Sequence, residues 1–181
     1  MVNKEINKVI IASAMEDFFL KEKSLILSDA SERCLCTRLA MCFEDSMKEQ
    51  GLSGYYADTE YNRNQGQVKT IISGDMKVIP ITCDLIIHSR GEIVAKDNLI
   101  AIEMAKVNKS SDDFNSDRNR LRALTKSSYD DIWSNDGETH PEHVCGYLNG
   151  LYLIIDSKNR KALLEHYVQG AMTKPKETID F

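Results

Sequence analysis

Residues 99–107, Leu-Ile-Ala-Ile-Glu-Met-Ala-Lys-Val, are almost continuously apolar, interrupted only by Glu103 and Lys106. A run of this length with no polar alternation predicts a central strand covered on both faces. Covering both faces of a strand requires helices on either side, so the chain is expected to be α/β. The run 144–156 has the same character, with an interruption predicted at Asn149-Gly150. Shorter strand patterns fall at 55–61, 68–73 and 81–87. The last of these is entered from Pro80 and left through the turn signal Ser89-Arg90-Gly91-Glu92.

Helical spacing brackets these strands. Ile6, Val9, Ile10, Ala14 and Phe18 recur at three- and four-residue steps and predict a helix over about 2–20. A second helix carries the stripe Leu35, Leu39, Cys42/Phe43 and Met47 and is closed by Gly51 and Gly54. Asp29 with Glu32 three residues on has the form of a capping box at its start. Residues 112–125 form a third helix, with Phe114, Leu121 and Leu124 inward. Residues 161–170 are assigned to a final helix. The expected order is two helices, three or four strands, a helix, a strand and a helix.

The 181 residues contain only 3 Pro and 9 Gly and no internal repeat, so they are expected to form a single domain. Within it, 1–27 is a helical extension and 28–156 the core. The net charge of -5 argues against binding phosphate through a global field, and leaves room for local basic patches. No apolar run is long enough for a membrane helix, and the N-terminal residues lack the pattern of a secretory signal. With five cysteines, an odd number, this predicts reduced thiols in a cytoplasmic compartment.

Chemistry is concentrated in two acids, Asp84 in Ile81-Thr-Cys-Asp-Leu-Ile-Ile and Glu103 in the central run. A carboxylate in such surroundings is costly unless a positive charge compensates it. A shared divalent cation would compensate both, and carboxylate oxygens with water suit Mg²⁺. The alternative is that each acid ends a strand and meets solvent or an arginine.

The order of a helical acid (Glu32), Pro80-Ile-Thr-Cys-Asp84, a hairpin, and Ile102-Glu-Met-Ala-Lys106 before a Ser/Asp-rich helix resembles the PD-(D/E)xK, or restriction-endonuclease-like, nucleases. Asp58-Thr-Glu-Tyr-Asn-Arg63 and Asp117-Arg-Asn-Arg-Leu-Arg-Ala-Leu124 add to the likeness. The resemblance implies a mixed central sheet flanked by helices. It implies a nuclease acting on DNA or RNA with Mg²⁺ or Mn²⁺, in bacterial or phage conflict. Asp84 and Glu103 match the family's metal-binding acids, and Glu32 its acid on the preceding helix.

The family's lysine stands two residues after the Glu, on the same strand face. Here that position is Ala105, and Lys106 follows it. A bulge could turn Lys106 into the site. Another cation, such as Lys69 or Lys109, could replace it. Otherwise the fold serves as a non-catalytic nucleic-acid-binding or protein-interaction subunit, with a protein partner or a second copy of the chain. Residues 104–126 hold six Lys/Arg against three Asp, and Arg118, Arg122 and Lys109 are the candidate phosphate contacts. His140-Pro-Glu-His143 with Cys145 has no second ligand pair for zinc. No Gly-rich nucleotide loop is present, so no nucleotide cofactor is expected.

Overall fold

The structure, a computed structural model, describes residues 4–64, 67–68, 70–72, 78–80, 82–129, 133–134, 144–173 and 175–181. Three helices open the chain: α1 (Lys4–Lys21), α2 (Lys23–Leu27) and α3 (Glu32–Glu49). The central sheet then follows as β1 (Tyr56–Thr59), β2 (Leu85–His88), β3 (Asn98–Lys106), β4 (Asn149–Asp156), β5 (Lys161–Val168), β6 (Ala171–Met172) and β7 (Glu177–Asp180). Helix α4 (Ser111–Thr125) connects β3 to β4. The order across the seven-stranded sheet is β1-β2-β3-β4-β5-β6, with β7 also paired to β5. Only β3 and β4 run parallel, as an intervening helix allows, and the other pairs are antiparallel. The chain is thus α/β with a mixed sheet and helices on both faces.

Each face has its own core. Leu85, Ile87, Ile100, Ile102, Met104, Leu151 and Leu153 pack with Ile10, Phe18, Leu39 and Phe43 of α1 and α3. On the other face Ile86, Ala101, Ala105, Tyr152 and Tyr167 meet Leu121 and Leu124 of α4. The two alanines of β3 keep the strand's profile low beneath α4. Helix α1 is built into the first core through Ile10, Ala14 and Phe18. Strands β5–β7 carry the sheet past residue 156.

Three local expectations are corrected. Residues 161–168 form a strand, not a helix. Lys161–Val168 contains good helix formers, but pairing with β4 along its length overrides propensity. Asn159 closes the preceding turn, donating from its backbone and side chain to the Asp156 carboxylate at 3.0 and 2.7 Å. Second, α3 is capped by Ser31, whose Oγ accepts from Cys34 N at 3.2 Å, and not by Asp29. Asp29 adopts a left-handed backbone conformation (φ 58°) and turns its carboxylate elsewhere. Third, Val9 is exposed, while Ile11, Met15 and Phe19 are buried with the rest of the α1 face.

The far end of α3 follows the expected glycine stop. Gly51 (φ 66°) donates to Lys48 O at 3.1 Å and Leu52 N to Met47 O at 2.9 Å, which satisfies carbonyls of the last turn. Of the run expected as a strand over 68–73, Thr70–Ile72 pairs with Val78–Pro80 and Val68 with Arg63, both outside the central sheet, and positions 69 and 73 lie outside the described residues.

Candidate active site

Strands β2 and β3 bring the two acids together. Leu85 pairs with Ile102 in the antiparallel register, so Asp84, just before β2, stands beside Glu103. Their carboxyl groups are close enough to shift each other's protonation. Met104 N donates to Asp84 Oδ2 at 2.8 Å. Glu103 is 1% exposed, and burial together with the Asp84 charge raises its pKa to about 8, against the pull of Arg120. Burial likewise raises Asp84, despite the Met104 amide and Glu103. Both shifts favour the protonated form, and the two acids titrate as one coupled unit.

Glu103 also faces α4. Arg120 Nε donates to Glu103 Oε1 at 2.5 Å and Nη2 to Oε2 at 3.2 Å. The same Nη2 lies 2.6 Å from Asp117 Oδ1. Asp117 is buried, and its Oδ2 accepts from Lys109 Nζ at 2.6 Å and from the Tyr152 hydroxyl at 2.8 Å. Burial works against the Arg120 charge, but Glu103 and Asp117 outweigh it, and the guanidinium pKa is raised. One network therefore runs from Glu103 through Arg120 to Asp117 and ties β3 to α4, with Asp84 beside Glu103 at the edge of it, just before β2.

Lys106 is not part of this network. The β3–β4 register is unbroken from Ile100 to Lys106, so no bulge intervenes between Glu103 and Lys106. Regular alternation sends Lys106 to the opposite face. There its Nζ donates to Asp29 O at 2.9 Å and to Asp29 Oδ1 at 2.7 Å. The expectation that Lys106 turns toward the acid pair is corrected by this register. Glu32 lies on the same side, and its Oε1 accepts from Lys106 N at 3.1 Å.

A cavity of about 420 Å³ opens here, lined by Glu32, Arg33, Cys36, Glu60, Asp84 and Lys106 among others. Arg33 Nε pairs with Glu60 Oε1 at 2.8 Å across its mouth. Burial pushes the Cys36 thiol far up, and the charges of Asp84, Glu103, Glu32 and Glu60 add to the effect. Four carboxylates therefore bear on one point, and the buried thiol there is inert. Among the described residues, no group of three or more His, Cys, Asp or Glu is placed to hold one metal ion.

The candidate phosphate contacts are largely engaged within the protein. Arg118 makes a double hydrogen bond to fully buried Glu165, with Nε 3.0 Å from Oε2 and Nη2 2.9 Å from Oε1. Lys109 holds Asp117. Arg122 bonds Asn119 Oδ1 at 2.9 Å and lies over the Tyr167 ring. Lys69 and the His140–His143 segment lie outside the described residues. Residue-type reasoning missed Asp117, Arg120 and Tyr152 as members of the site. A signal was available: Asp117 shares the inward face of α4 with Leu121 and Leu124, at four- and seven-residue steps, and an acid there needs partners.

Compared with protein-family models, curated proteins and solved structures, the chain matches none. No described helix is long and apolar enough to cross a membrane.

Proposed function

We propose that this chain is a metal-dependent phosphodiester hydrolase of the restriction-endonuclease-like type, acting on DNA or RNA. The observation that carries this is the Asp84–Glu103 pair, set side by side by the β2–β3 register, with Asp84 opening into a cavity of further acids. The helix-strand-strand-strand-helix-strand order from α3 to β4 agrees with the resemblance.

The donor set fits Mg²⁺ or Mn²⁺. Such ions usually take one or two carboxylates and keep water and substrate phosphate as their other ligands, so a cage of three side chains is unnecessary. Burial is the main cause that raises both acids, and a cation held between them would favour their charged forms. Asp84 and Glu103 would hold it, and its chemistry there is to activate water and neutralise charge on the phosphate. The protein's own groups set the geometry. Met104 N fixes one oxygen of Asp84, Arg120 fixes Glu103, and Glu32 ties the end of β3 to α3 through the Lys106 amide.

One observation favours a second reading, a non-catalytic subunit of the same fold that binds nucleic acid or protein. Lys106 stands on the sheet face opposite Glu103 and is engaged by Asp29, and no lysine bonds either acid among the described residues. Cleavage of plasmid, single-stranded DNA and RNA with Mg²⁺ or Mn²⁺, beside Asp84→Ala and Glu103→Ala, decides. Cutting abolished in both variants supports the enzyme. Cutting that persists in both rejects the site, and no cutting by the clean wild-type protein favours the second reading.

A further inference from the structure

Ala105 lies on the α4 side of β3, the side from which Arg120 reaches Glu103. Ala105 is fully buried in the cluster that holds Leu121 and Leu124. Its side chain shares a face with Glu103, two residues earlier. A lysine at 105 would therefore rise beside Glu103, where the chain has only a methyl group. Arg120 comes to the same carboxylate from above, with Nε 2.5 Å from Oε1.

We infer that Arg120 is the positioning residue of the acid pair, supplying from α4 the positive charge that strand β3 lacks at Ala105. This rests on the hydrolase assignment above and adds the residue that takes the lysine's place. The other nearby cations are committed elsewhere: Lys106 to Asp29, Lys109 to Asp117 and Arg118 to Glu165. Arg120 is held from two sides, because Asp117 grips Nη2 at 2.6 Å and is itself fixed by Lys109 and Tyr152. A guanidinium suits the task better than an ammonium, since its planar fork spans both oxygens of Glu103 and still reaches Asp117. The two contacts fix the plane of the Glu103 carboxyl, and hence the direction it presents to Asp84. With its side chain 23% exposed, Arg120 stays within reach of solvent.

The test uses the full chain, Mn²⁺ as the probe and a supercoiled plasmid as substrate. Arg120→Met should slow cleavage by about two orders of magnitude, the scale of losing a preorganised charge. Mn²⁺ binding, read by electron paramagnetic resonance, should be no weaker, because the cation competing for the Glu103 oxygens is gone. Arg120→Lys, which keeps the charge and loses the planar fork, should retain about tenfold more of the rate than Arg120→Met, within the range that such supporting groups control. Arg120→Gln serves the same comparison where Arg120→Met does not fold.

Full activity in Arg120→Met, Mn²⁺ binding lost together with cleavage, or an Arg120→Lys no more active than Arg120→Met would each overturn the assignment. Thermal unfolding separates this from the hydrolase reading if the wild-type protein does not cut. Arg120→Met should lower the melting temperature, and Arg120→Lys should lower it less. In a Glu103→Gln background that difference should shrink. Equal losses in Arg120→Met and Arg120→Lys with Glu103 present would reject the charge placement whatever the activity.

Discussion

The Lys106 ammonium lies 2.7 Å from the Asp29 carboxylate, on the sheet face opposite Glu103. The placement follows from β3 keeping its register against β4 through Lys106 itself. It also explains why Asp29, although it precedes a helix, does not cap it: its carboxylate is engaged by the lysine. This ion pair is open to solvent at the Asp29 end, which is 70% exposed, so it adds little to stability.

A ranking of variants follows. Lys106→Ala should reduce cleavage far less than Arg120→Met, with at least a tenfold gap between them in the range set by supporting groups. Single-turnover rates on one plasmid substrate measure it. Equal losses would mean that Lys106 reaches the reacting phosphate from the cavity side.

Asp117 organises three donors at once, from Lys109, Arg120 and Tyr152. Replacing it by Asn should cost about 3–5 kcal/mol, the range for removing one partner of a buried ion pair and leaving the other unpaired. Tyr152→Phe removes one hydrogen bond to a charged group and should cost about 1.5–3 kcal/mol. Urea unfolding of both variants checks the ratio. A loss below 1 kcal/mol for Asp117→Asn, on the scale of a surface pair, would show that the network carries no stability.

The extent to which this network is legible in the sequence depends on the kind of signal. Residues 99–107 and 151–155 announce themselves because burial on both faces leaves an apolar run, but β4 begins only at Asn149, at the predicted interruption, and 144–148 lie outside the strand. Helix α3 is found from one stripe, Leu35 to Met47, because only one of its faces is buried. The strand at 161–168 is obscured because its inward positions include Glu165, a charge that periodicity counts as polar. Glu165 is tolerated inside only because Arg118, Lys176 and the Tyr167 hydroxyl converge on it, from residues 47, 11 and 2 positions away. Asp84 and Glu103 are visible as acids in apolar runs. Arg120 is not, since an arginine on a polar helix resembles a solvated residue until the helix is docked on the alanines of β3.

Glu165 should shape the acid limb of stability. Burial raises its pKa, but Arg118, Tyr167 and Lys176 outweigh that and pull it down to about 2. A carboxyl depressed on folding stabilises the native state above its unfolded pKa near 4.5. That contribution is lost as pH falls from about 4.5 toward 2. Glu165→Gln should therefore lower the melting temperature at pH 7 and flatten its decline over that acid window. Melting curves from pH 7 down to 2 give the comparison. An unchanged acid slope in Glu165→Gln would place the titrating group elsewhere.

Glu32 separates structure from chemistry in one position. Its Oε1 accepts the Lys106 amide at 3.1 Å, and the side chain lines the cavity beside Asp84. Gln at this site keeps the accepting oxygen and removes the charge, whereas Ala removes both. If the carboxylate serves only to tie β3 to α3, Glu32→Gln should match the wild type in stability and cleavage. If its charge contributes to the cation's field, Glu32→Gln should keep its melting temperature and lose activity. The second outcome is expected, because the Cys36 thiol already registers the charges of Glu32, Glu60, Asp84 and Glu103 together. Glu32→Ala should in addition lose about 0.5–1.5 kcal/mol, the net worth of an ordinary hydrogen bond. Paired melting and cleavage measurements on the two variants resolve the roles, and wild-type cleavage by Glu32→Gln would remove Glu32 from the chemistry.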